Sequence, residues 1–232
     1  LVEDDPKHPH AGACHRTLAT AHHAAGNLER AALHADRCLE AHASIRGADY
    51  AVALHVRALA YLEEGSLKVA MPLLEEAAAI FETLPEHHYA LGAVLSTMAE
   101  ICLETGDSET ALALYQRVLA DVEATAPESE QHASLMNAVT GQAFLGLGSA
   151  YAQRDERDKA KDYLARAVEF FEAAHGLGHP ELHAMVEQIA AIYRAIGEEE
   201  AALAVEMEKG ALELNEVDDL DEDDDLDRPL DD

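Results

Sequence analysis

Apolar residues recur along this chain at helical spacing, and the pattern is broken at regular intervals by a glycine or an aspartate. The clearest stretch runs from Leu95 to Val118. There Leu95, Met98, Ile101 and Cys102 precede Gly106, and Leu112, Leu114, Tyr115 and Val118 follow it. Apolar positions three and four apart predict an amphipathic helix on either side of the turn. Two small residues mark the pair: Ala99, seven positions before the turn, and Ala111, five after it. The same small–turn–small triplet recurs as Ala19–Gly26–Ala31, Ala58–Gly65–Ala70, Gly148–Asp155–Ala160 and Ala190–Gly197–Ala202.

The triplet has a packing meaning. Two antiparallel helices joined by a short turn approach to about 8–10 Å, a distance set by the side chains where they cross. A residue without bulk on each helix lets the backbones meet while larger neighbours interdigitate. The turn glycine takes the left-handed conformation that ends a helix at no Cβ cost. Aspartate is among the residues that replace it most readily. An aromatic three residues after the first small position recurs as Tyr61, Tyr151 and Tyr193, with His22 and Cys102 in the other copies.

The pattern therefore predicts an all-α chain of five antiparallel helix pairs, over residues 9–44, 49–84, 86–125, 128–174 and 180–214. Residues 1–8 are an acidic lead-in. Gly26, Gly65, Gly106, Asp155 and Gly197 stand 39, 41, 49 and 42 positions apart. The long step predicts about two extra turns at the start of the seventh helix, within residues 128–139. Pro72 lies inside the fourth helix, Leu67–Leu84, where it removes a hydrogen bond and is expected to start the helix late or kink it. Residues 215–232 hold eleven acids against the single cation Arg228. Self-repulsion and lack of apolar surface predict a disordered tail there.

Composition narrows the function classes. The 232 residues are 49% apolar with no Trp, enough for a sizeable helical core. No run of eighteen apolar residues exists, so no membrane span is expected. The cysteines Cys14, Cys38 and Cys102 are scattered and odd in number, which fits packing thiols in a reducing intracellular compartment, the cytoplasm or an organellar matrix. The Leu1 start without a signal peptide is what a processed or excised chain would show. Net charge is −30, from 46 acidic and 16 basic residues. Nucleic acid and anionic membrane carry like charge and are disfavoured as partners, whereas a basic protein surface or segment is favoured.

The triplets, their turn glycines and the recurring tyrosines resemble the tetratricopeptide repeat, whose minimal unit is about 34 residues. The longer spacing here, with His8-Pro9 before the first helix and Gly178-His179-Pro180 before the ninth, is most similar to the roughly 42-residue variety of kinesin light chains. The resemblance implies a right-handed α-solenoid whose concave face is lined by the first helix of each pair. Its members bind peptides or protein segments there and are not usually enzymes. Carried onto this chain, the groove positions are Arg16, Thr20, His23, His55 and Leu59, then Ser96, Glu100, Gln142 and Ser149, then Glu187, Gln188 and Arg194. Only Arg16 and Arg194 are basic, at opposite ends. That argues against a carboxylate clamp and against capture of an acidic peptide. His22 and Glu206 depart from the usual tyrosine and apolar residue of the terminal copies.

Other chemistry is poorly supported. Seven histidines fall in the first copy, and His34, Cys38 and His42 share one helical face at metal-ligand spacing. Cys38 stands where other copies have Ala77 or Ala167, so packing is the preferred reading and no metal or other cofactor is expected. No GxSxG, HExxH, phosphate loop or dinucleotide fingerprint is present, and no catalytic residue is assigned. The leading reading is a non-enzymatic scaffold or adaptor that binds a basic protein segment. The alternatives are a structural subunit packed permanently in a larger assembly, for which Leu203, Val205 and Met207 would supply contacts, and a regulatory domain of a longer enzyme or motor-associated protein.

Overall fold

All five turns lie in the left-handed region: Gly26 and Gly65 at φ 71°, Gly106 and Gly197 at 83°, and Asp155 at 58°. In each, the amide that follows bonds back to the carbonyl five residues earlier, as Asp107 does to Cys102 at 2.8 Å and Glu156 to Tyr151 at 2.9 Å. Aspartate thus closes the fourth turn with the geometry glycine gives the others. These turns join the helices of a computed structural model that describes residues 10–84, 88–175 and 180–207.

Two units are distinguished, residues 1–126 and 127–232. In the first, α1 (Ala11–Ala24) pairs with α2 (Leu28–Ala41), α3 (Ala48–Glu63) with α4 (Leu67–Phe81), and α5 (His88–Glu104) with α6 (Ser108–Glu123). Each pair packs on the next, and the first helices α1, α3 and α5 adjoin one another. In the second unit, α7 (Glu130–Gln153) pairs with α8 (Arg157–His175), and α9 (Pro180–Ala195) packs on both. A tenth helix, α10, is described over residues 199–207. No strand occurs among the described residues. The lead-in 1–8, the end of the fifth pair and the acidic tail 215–232 lie outside them.

The crossing residues are sealed. Ala19, Ala31, Ala58, Ala70, Ala99, Ala111, Ala160, Ala190 and Ala202 have no exposed surface. A Cβ added to Gly148 would stand 2.6 Å from Leu164 Cδ2, so the fourth crossing has no room for a side chain at that position. In the first unit the crossings continue into a cluster of Ala19, Ala31, Ala35, Cys38, Ala53 and Val56. The second unit carries rings instead: Phe144 lies 6.0 Å from Tyr163 and 5.3 Å from Phe170, and Tyr151 stacks on Tyr163 at 5.4 Å.

One expectation changes. Helix α4 begins at Leu67 and passes through Pro72 without interruption. Pro72 is its sixth residue and is exposed with Lys68 four positions earlier, so the carbonyl left without an amide partner faces water. Helix α7 is 24 residues long against 17 for α5, with its added turns at the start, capped by Ser129 accepting from the His132 amide at 3.1 Å.

Tyr115 is fully buried, yet its hydroxyl has no hydrogen-bond partner among the described residues. Burial, with Glu100 and Cys102 nearby, holds the phenol protonated. Tyr115→Phe removes that unsatisfied group and keeps the ring. It is expected to leave the first unit as stable or to stabilise it by about 1 kcal/mol, read from urea melts; a loss of that size would reveal a partner for the hydroxyl.

Candidate functional site

The anticipated groove residues separate into those turned outward and those already engaged. Arg16 pairs with Asp49 at 2.7 Å. At the other end of the chain Arg194 holds Glu206 at 2.6 Å and Glu199 at 3.5 Å. Glu206, anomalous as a residue in an apolar position, is thus the counter-charge of Arg194. Thr20 turns its hydroxyl back to the carbonyl of Thr17 at 3.0 Å. Ser96 is buried, and its neighbour Thr97 makes the cross-helix contact instead. That residue has no signal in the sequence beyond adjacency.

In the first unit the structure brings His23 and His55 together. His55 Nε2 lies 2.9 Å from Thr97 Oγ1, joining α3 to α5 across 42 positions of sequence. Burial, with a smaller contribution from His23, lowers the His55 pKa from 6.5 to about 4, so its ring is neutral at neutral pH. His23 is lowered by burial as well, with Glu63 opposing. Helical spacing puts His55, Leu59 and Glu63 on one face of α3, and Thr97 and Glu100 on one face of α5. Leu59 and Glu100 are half-buried and Glu63 is exposed.

In the second unit Ser149 and Gln188 line one cleft. With Gln153 they form its rim; the cleft holds about 390 Å³ between α7 and α9, floored by Ala152, Ala191, Ile192, Ala195 and Ile196. Its rim is neutral and able both to donate and to accept. Glu187 is exposed beside Gln188, and Gln142 is half-buried three turns back along α7.

The histidines of the first copy are divided between two clusters that the sequence does not separate. His34 turns to His15, with Nδ1 atoms 3.1 Å apart, and stacks on His22 at 5.4 Å between ring centres. These three stand where the fourth copy has Tyr163, Phe144 and Tyr151. Cys38 and His42 face the other way, toward Asp49: Cys38 Sγ is 3.5 Å from its carbonyl and 3.6 Å from His42 Nδ1. Burial and Asp49 push the Cys38 thiol up to about 11. Among the described residues no group of three or more His, Cys, Asp or Glu is arranged to hold a metal ion. None of the described helices is long and apolar enough to cross a membrane.

Sealed small–turn–small crossings, repeated pair after pair, define a helical-repeat protein. Family models described as tetratricopeptide repeat match residues 46–124 and 140–181, together just over half of the chain. The chain belongs to the tetratricopeptide-repeat family, and its repeats are of the longer, kinesin-light-chain-like kind. Among solved structures, it is similar to the nearly identical TPR-like repeats of a Podosopora anserina chain described as a kinesin light chain. That match is 20% identical over 90% of this chain and 98% of the other, with a TM-score of 0.54. It is also similar to BtubC (BKLC) from P. vanneervenii, at 17% identity over 93% of this chain and 82% of the other, with a TM-score of 0.61. At such identities the likeness is one of fold. No curated protein matches the chain.

Proposed function

We propose that this protein is a non-enzymatic scaffold that holds a basic segment of another protein against its rows of first helices. The repeat family supplies the general role, since tetratricopeptide repeats are protein-interaction scaffolds. The observation that carries the sign of the partner is the fate of the groove arginines. Arg16 and Arg194 are both paired with carboxylates of their own chain. Their charge is compensated internally, and neither is left to receive an acidic ligand. Against 46 acids and 16 bases overall, a basic ligand meets an attractive field and an acidic one a repulsive field.

A fluorescent, end-capped (Lys-Ala)4 peptide tests this against (Glu-Ala)4 by anisotropy at low and high salt. The lysine peptide is expected to bind and to weaken with salt, as screening shortens to about 10 Å near 0.1 M. Binding of the acidic peptide alone, or of neither, overturns the reading. Glu100→Lys or Glu187→Lys is expected to raise the dissociation rate, because contacts in a groove are short-ranged. Deleting residues 215–232 is expected to slow association and flatten the salt dependence while the preference for lysine persists. If the deletion alone abolishes binding and the reversals change nothing, recognition belongs to the acidic tail.

A permanent subunit is the second reading, and it rests on Leu203 and Met207, which are 47% and 73% exposed on α10. A partner-free preparation that self-associates by light scattering, and becomes monodisperse on Leu203→Ser with Met207→Ser, would favour it over the adaptor.

A further inference from the structure

The Thr97 hydroxyl has one proton. Its oxygen lies 3.0 Å from the carbonyl of Ala93, one helical turn back, and 2.9 Å from His55 Nε2. A carbonyl can only accept, so with the Thr97 proton given to Ala93, the usual back-bond of a helical threonine, the hydroxyl accepts from the imidazole. This places the His55 proton on Nε2 and leaves Nδ1 as a lone-pair acceptor. His55 makes no other hydrogen bond among the described residues, and its ring is only half-buried. The ring belongs to the face of α3 that carries Leu59 and Glu63, beside the face of α5 that carries Glu100.

We infer that His55 Nδ1 is a proton-locked acceptor for a lysine ammonium of the bound segment, with Thr97 as the residue that sets its tautomer. The inference rests on the scaffold reading and gives it a specificity residue. Glu63, about two turns further along the same helix, and Glu100 on the neighbouring one favour a cationic donor on this face. A single ring nitrogen suits the compact ammonium, whereas a guanidinium presents a planar fork matched to two acceptor atoms. The neutral imidazole adds no positive charge to repel the ligand, because burial and His23 keep it unprotonated.

The test is a long-range ¹H–¹⁵N spectrum of the histidine rings in the full chain. Free protein is expected to show His55 in the Nε2–H form, unchanged from pH 7.5 to 5.5. Thr97→Val should release it to a mixture of tautomers. Adding end-capped (Lys-Ala)4 should move the Nδ1 resonance upfield, and the Nε-acetylated peptide, which keeps its backbone amides, should not. His55→Gln, which retains a donor toward Thr97 but loses the Nδ1 acceptor, should weaken the lysine peptide roughly tenfold, with His55→Asn less affected. Melting curves of both variants confirm folding. An Nδ1–H form in the free protein overturns the assignment, as does an Nδ1 shift that survives acetylation, which would make the donor a backbone amide. Lysine-peptide binding with Nδ1 unmoved overturns this inference and leaves the scaffold reading standing; absence of all peptide binding removes both.

Discussion

Replacing Ala160 by leucine is expected to destabilise the second unit by about 1–3 kcal/mol, and Ala111→Leu to do the same in the first. Both alanines are wholly buried at a helix crossing, so the added carbons must force the backbones apart or displace neighbours already in contact. Ala165 and Ala113 lie on the same helices, α8 and α6, but are exposed, and leucine there should change little. Gly148→Ala sharpens the comparison. Alanine favours an isolated helix over glycine by about 1 kcal/mol, which argues for stabilisation. The new Cβ, however, would come within 2.6 Å of Leu164 Cδ2 and 2.7 Å of its Cγ, and Leu164 is itself completely buried. Overpacking is expected to win and the variant to melt lower than the parent. A unit of this size loses roughly 4–8 °C per kcal/mol, so each effect is readable by calorimetry. Equal shifts at buried and exposed alanines would mean that the helix faces have been misassigned.

Acidification from pH 6.5 to 4 is expected to cost the first unit up to about 3 kcal/mol through His55 alone. The sign follows from the direction of the shift. The folded state holds the ring neutral until about pH 4, whereas the unfolded chain takes up the proton near its ordinary value of 6.5. Below 6.5 the unfolded state therefore binds the extra proton, and stability falls with pH until the folded ring titrates too. Burial is the main cause and the neighbouring His23 the smaller one. His23 is shifted in the same direction and adds to the loss, with Glu63 opposing it. Carboxylates titrate in the lower part of this window, so the decisive quantity is a difference between proteins. His55→Gln keeps a donor toward Thr97 and does not titrate. Its urea-derived stability should fall less steeply than the parent's between pH 6.5 and 4. Parallel profiles for the two proteins would show that His55 is not the group responsible.

Most of the architecture is written locally. A helix is specified by neighbours three and four positions apart, and a left-handed turn by a single residue. The five triplets, the pairing of successive helices and the added length of α7 therefore all lie within about forty consecutive residues, and Asp155 is recognisable as a stand-in for glycine. Pro72 does not break α4 because the cost of a proline depends on whether the freed carbonyl reaches water, and exposure is a property of the packed chain. The groove could be placed only by face, and what its side chains do was decided by residues far away in sequence. Arg194 meets Glu206 twelve positions on, His34 finds His15 nineteen positions back, and His55 reaches the Thr97 hydroxyl, forty-two positions away. Periodicity assigns a residue to one side of a helix. It does not say whether a charge there is already matched or which ring nitrogen carries the hydrogen. Those properties arise from hydrogen bonds and ion pairs that exist only once separate helices have been brought to within about 3 Å of each other's side chains.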